Sequence, residues 1–186
     1  MTLSKSILRV ALATGFLLLL LVAANLAMAE MKWSLDDFLT AGLVFFCLGT
    51  FFALMARVGS NTPYRLGAGI AVMAGFILIW GNLAVGFIGS EDNPANLLYG
   101  GVLAVAIIGS IAARSRARGL AYAMFATALT QFLVPLVAAL IWQPEVNLGM
   151  VQVLALNAVF ALLWVGAGLL FRRASTIGSN PSLRVA

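Results

Sequence analysis

The sequence predicts an all-α integral membrane protein: a bundle of six transmembrane helices, five if the first is a cleaved signal, with both chain ends on the cytoplasmic side. Three observations carry that expectation. Of the 186 residues, 63% are apolar and only 9% are charged, where a soluble domain carries about 25% charged residues; the mean hydropathy is +1.07. Six stretches without a charge reach the roughly 20 apolar residues that a helix needs to cross a hydrocarbon core about 30 Å thick. The charged residues that remain are sorted onto alternate connections.

The first stretch, 10–29, follows Lys5 and Arg9 and ends in Ala27-Met28-Ala29-Glu30, which fits the small-residue cleavage pattern of a secretory signal. It is longer than the usual apolar region of a signal, about 7–15 residues, so a retained helix is expected. The second, 38–56, opens on Asp36-Asp37. Adjacent carboxylates at a helix start read as partners of the helix dipole rather than as an acid–base pair, since neighbouring side chains on a helix diverge by about 100°. The third, 66–88, follows Thr62-Pro63 and carries Gly67, Ala71 and Gly75 on one face, a strip that a partner helix can approach closely. The fourth, 95–113, follows Asn93-Pro94 and has Gly101 and Gly109 for the same use. Asn93-Pro94 and Thr62-Pro63 each set an N-cap type of residue before a proline.

A tight basic hairpin, 114–119, leads to the fifth stretch, 120–142, where Pro135 removes one backbone donor. A kink near Gln131 is expected there. The sixth, 148–171, follows Pro144 and contains Gly166 and Gly168. These limits make one domain, a bundle over 1–171, followed by a short mobile basic cytoplasmic tail over 172–186.

Orientation follows from charge, because Lys and Arg in short loops stay on the cytoplasmic side. If the spans alternate, one side holds Lys5, Arg9, Arg57, Arg65, Arg114, Arg116, Arg118, Arg172, Arg173 and Arg184. The other side holds Lys32 and all 6 acids: Glu30, Asp36, Asp37, Glu91, Asp92 and Glu145. The pI near 10.2 is therefore a sign of anionic lipid at the cytoplasmic face and not of nucleic acid. Trp33 and Trp142 are expected at the outer interface, and Tyr64 and Tyr122 at the inner one.

Several chemistries are excluded outright. With no His and one Cys, Cys47, the chain has no Ser-His-Asp triad, no bis-His haem, no His proton switch and no thiolate zinc or iron–sulfur site. No metal, cofactor or catalytic residue is assigned. No ionisable side chain lies inside a span, which weighs against proton-coupled transport. The polar side chains within spans are Asn25, Asn82, Gln131, Gln152 and Asn157, with Thr127 and Thr130. Each is expected to face the bundle and find a partner, and Gln131 and Asn157, at similar depth, are the expected cross-helix pair.

The most distinctive segment reads Trp80-Gly81-Asn82-Leu83-Ala84-Val85-Gly86-Phe87-Ile88-Gly89-Ser90-Glu91-Asp92-Asn93-Pro94-Ala95-Asn96-Leu97-Leu98-Tyr99. Its carboxylates and amides could hold a hard cation, but they lack the spaced ligands of a calcium loop, and turn chemistry accounts for Asn93-Pro94. Together with Trp33-Ser34-Leu35-Asp36-Asp37-Phe38, this segment resembles a family of small bacterial multi-pass inner-membrane proteins. The resemblance implies a bacterial inner membrane and six spans, and it carries no activity or functional residue with it.

The expected function is that of a non-enzymatic accessory or structural membrane component acting through partners, either a second copy or another membrane protein. The alternative is a small-solute or ion transporter or channel with an acidic outer vestibule, for which Asn82, Glu91, Asp92, Asn93, Asn96, Gln131, Gln152 and Asn157 are the candidate polar residues. A third reading, an enzyme acting on lipid, would use Glu91 or Asp92 as base.

Overall fold

In hydrocarbon a backbone N–H or C=O has no water to turn to, so an apolar run closes its hydrogen bonds within itself as a helix. A computed structural model of the chain describes residues 3–28, 32–59, 61–90, 92–142 and 148–179. Among these residues there is no strand. The helices are α1 (Leu3–Ala27), α2 (Leu35–Val58), α3 (Thr62–Ala84), α4 (Leu98–Ala112), α5 (Ala117–Trp142) and α6 (Leu148–Ser179), with a 3-10 turn at Pro94–Leu97 leading into α4. All six, α4 together with its 3-10 turn, are long and apolar enough to cross a membrane. The chain is an all-α, multi-pass transmembrane protein.

Where the sequence suggests one bundle over 1–171, the helices are arranged as two compact units, Met1–Arg57 and Val58–Ala186. In the first, α1 and α2 run antiparallel. Val10 lies over Gly49 and Leu18 over Gly42, where an added Cβ would come within 2.8 and 3.1 Å of them. Lys5, Arg9 and Arg57 thus share one end of the pair. The start of α2 is a capping box: Asp37 Oδ2 accepts from the Ser34 N–H at 2.8 Å and from its hydroxyl at 2.9 Å, and the Asp37 N–H donates to Ser34 Oγ at 3.4 Å. Asp36-Asp37 is therefore helix-start chemistry, as the sequence suggests. Asn25 near the end of α1 accepts from the Trp33 N–H at 2.9 Å. Only 6% of each of these two spans is buried, against 28–39% in the other four.

In the second unit α5 packs against α4 and α6, and α6 against α3. Small residues set the spacing. A Cβ on Gly67 would meet the Ala167 carbonyl at 3.2 Å and Leu170 at 3.3 Å, and one on Gly75 would reach Trp164. The α3 strip is thus internal packing against α6. Gly109 lies 2.8 Å, by the same measure, from Ala123 Cβ on α5, and Gly168 2.7 Å from Phe125. Gly101 and Gly166 do not share this role, because nothing comes within 4 Å of their side-chain direction.

One end of this unit is knitted by two long-range bonds. Tyr64 Oη donates to the Ser115 carbonyl at 3.1 Å, and Asn61 Nδ2 donates to the Ala174 carbonyl at 3.1 Å. They gather the start of α3, the α4–α5 turn and the last turns of α6, and with them Arg65, Arg114, Arg116, Arg118, Arg172 and Arg173. The turn itself uses positive φ at Arg114 (46°) and Ser115 (59°). Tyr64 is therefore core rather than lipid belt: it is 4% exposed and meets the Phe171 ring edge-on at 5.2 Å. Tyr122, by contrast, is 62% exposed.

Four boundaries differ from the sequence expectation. Asn61, not Thr62, caps α3, its Oδ1 accepting from the Tyr64 N–H at 3.0 Å. The helix stops at Ala84 rather than continuing to 88, because Gly86 turns the chain at φ 65°. α5 starts at Ala117 rather than 120 and includes Pro135 within one helix. α6 does not end at 171 but runs to Ser179, with Ser175 Oγ and Thr176 Oγ1 bonded back to the carbonyls of Arg172 and Arg173 at 2.7 and 2.8 Å. The segment 172–179 is thus helical rather than a mobile tail; no helix breaker intervenes before Gly178. Residues 180–186, including Arg184, lie outside the described residues.

Candidate functional site

At the end of the second unit opposite the arginines, the chain leaves α3 and folds into a loop organised by one side chain. Asn96 is 5% exposed. Its Oδ1 accepts from the N–H groups of Phe87 and Ile88 at 3.0 and 2.9 Å, and its Nδ2 donates to the carbonyls of Ile88 and Ser90 at 3.3 and 2.6 Å. One amide thereby binds four backbone groups of the loop that follows α3. Gly86 has to be glycine here: besides its positive φ, a Cβ would lie 2.5 Å from the Ser90 carbonyl oxygen. Asn93 caps the 3-10 turn, its Oδ1 accepting from the Ala95 N–H at 2.9 Å.

The loop inserts Phe87 into the helices. Its ring lies against Gly81, where a Cβ would come within 2.5 Å, edge-on to Tyr99 at 5.4 Å and near Phe160 at 5.6 Å. Beneath it a polar chain crosses three helices. Trp164 Nε1 donates to Gln131 Oε1 at 3.4 Å, Gln131 Nε2 to Asn157 Oδ1 at 2.8 Å, and Asn157 Nδ2 to Tyr99 Oη at 2.8 Å and to the Val153 carbonyl at 2.8 Å. None of the four side chains is more than 2% exposed. This is the Gln131–Asn157 pair that the sequence suggests, extended by Tyr99 and Trp164, which sequence reasoning missed. The signal for Tyr99 was its place three residues after Asn96, on the same helical face.

Above this network is a cavity of about 600 Å³. The loop forms one wall with Val85, Phe87, Ile88 and Asn93, α5 another with Pro135, Ala138 and Ala139, and the first turns of α6 the third with Gln152, Val153 and Leu156. Its inner end adjoins the polar network, since Val153 also accepts from Asn157 and Phe87 also touches Tyr99. Among the described residues no ionisable side chain lines it.

The expected vestibule residues separate accordingly. Asn93 and Gln152 line the cavity, and Gln152 is exposed rather than buried in the bundle. Asp92 is exposed on the loop. Glu91 and Glu145 lie outside the described residues. Asn82 does not face the cavity; its Nδ2 donates to the Asn96 carbonyl at 3.2 Å, while its Oδ1 is buried with no partner among the described residues. Gln131 and Asn157 are consumed by each other. Thr127 and Thr130 bond back to their own helix, at Ala123 and Ala126, and so contribute no cross-helix bond. No group of three or more His, Cys, Asp or Glu that could hold a metal occurs among the described residues.

Fold and site together define a multi-pass transmembrane protein with a hydrogen-bonded polar core and a cavity at one end. Comparisons with protein-family models, curated proteins and solved structures return no match.

Proposed function

We propose that this chain is a bacterial inner-membrane protein with both ends in the cytoplasm, acting without chemistry of its own as an accessory component that works through partners. The orientation is supported by the gathering of Arg65, Arg114, Arg116, Arg118, Arg172 and Arg173 at one end of the second unit, while Asp92 sits at the other; basic loops are retained on the cytoplasmic side and lie against anionic lipid. The accessory role is supported above all by the fate of the polar side chains. Those at mid-membrane depth are spent on a hydrogen-bonded chain, Trp164–Gln131–Asn157–Tyr99, and none of these four side chains lines the cavity. The cavity, with Asp92 exposed on the loop that forms one of its walls, is the one observation that favours the transport reading.

Purification in mild detergent followed by native mass spectrometry separates the two. An accessory component carries a stoichiometric partner, a second copy or another membrane protein, and moves no ions in proteoliposomes on its own. Isolation as a bare monomer that supports flux would replace this reading with a transporter.

A further inference from the structure

We propose that the cavity above the Gln131–Asn157 network is a binding site for a bulky lipophilic monocation, of the quaternary ammonium or phosphonium kind. This inference rests on the cavity and stands whether or not the protein works through partners.

Size and lining set the ligand's body. About 600 Å³ falls in the range of small-molecule sites, roughly 300–1,000 Å³. Among the described residues the walls offer apolar side chains from Val85, Ile88, Ala138, Ala139, Val153 and Leu156, with amides only at Asn93 and Gln152. A compact ion would lose its hydration with few polar groups to replace it. An ion whose charge is spread or shielded by carbon loses far less and gains the apolar contact.

Charge selects the sign. Asp92 is exposed on the loop beside Asn93, a cavity wall. The two sequence segments that wall the cavity, 81–100 and 132–156, hold Glu91, Asp92 and Glu145 and no Lys or Arg. Such a mouth attracts cations and repels anions. The helix dipoles do not reverse this preference, because α3 and α5 end here while the 3-10 turn into α4 and α6 begin here, so opposite helix ends offset one another. Phe87 in the wall adds an aromatic ring, the side-chain type that receives quaternary cations.

The test uses the full-length protein in neutral detergent with radiolabelled tetraphenylphosphonium, measured by equilibrium dialysis against protein-free micelles. Saturable binding of one cation per chain is expected, displaced by unlabelled cation but not by tetraphenylborate, an anion of nearly the same shape. Val153→Phe and Ala139→Leu fill the cavity and are expected to weaken binding about tenfold, and Asp92→Asn about threefold. Circular dichroism checks each variant, and Gly149→Leu, at the exposed start of α6, substitutes for any that fails to fold. Binding that does not saturate, equal binding of the cation and the anion, or folded cavity-filling variants that bind like the parent would overturn the proposal.

Discussion

At the scale of the residue, an amide within a membrane span is tolerable only as one link of a satisfied set. Asn157 uses both ends of its side chain: Oδ1 accepts from Gln131, and Nδ2 donates to Tyr99 and to the Val153 carbonyl. Replacing it with Leu leaves the Gln131 amide and the Tyr99 hydroxyl buried without this partner, at a cost of about 1–3 kcal/mol. The direct Gln131–Asn157 coupling is smaller, about 0.6–1.7 kcal/mol by the standards of intramembrane bonds. Denaturant titration in mixed micelles of Asn157→Leu, Gln131→Leu and the double variant measures both. The single variants are expected to lose more than the coupling alone, and strict additivity would mean that the pair contributes nothing to each other.

At the scale of the element, close approach rather than glycine content decides which small residues matter. Gly109 and Gly101 belong to the same helix, yet only Gly109 has a neighbour in the way, Ala123 of α5. Gly109→Leu is expected to push α4 from α5 and cost about 1–3 kcal/mol. Gly101→Ala meets open space and, with helical propensity in its favour by up to about 1 kcal/mol, is expected to leave the melting temperature unchanged or raise it. Equal losses in the two variants would refute the packing described for α4. The loop after α3 follows the same logic in reverse, since its shape depends on one buried side chain, Asn96, satisfying four backbone groups.

At the scale of the whole molecule, charge sorting becomes a testable orientation. In a Cys47→Ala background, Asp92→Cys is expected to react with a membrane-impermeant maleimide in intact cells whose outer barrier has been opened. Arg116→Cys is expected to react only after lysis. The opposite pattern would invert the orientation, and reaction of both in intact cells would break the alternation of spans. Native mass spectrometry and cation binding act at the same scale but fail independently: a monomer can still bind tetraphenylphosphonium, and a stoichiometric complex can be formed by a chain that does not.

What composition and order determined by themselves is the class: helices long enough for a bilayer, their number, and charges that alternate between connections. These properties are local, set by the hydropathy and charge of consecutive residues against the thickness of a hydrocarbon layer. The Gln131–Asn157 pairing was also legible, because amides at equal depth have few alternatives in lipid. The structure alone decided that Tyr64 is core, that Gly101 is open while Gly109 is not, that Asn82 and Asn96 bind the loop instead of lining a vestibule, and that Phe87 closes over Tyr99 below a cavity. Each depends on which helix faces which and on where Gly86 reverses the chain. Those are long-range packing choices, and a window of neighbouring residues holds no record of them.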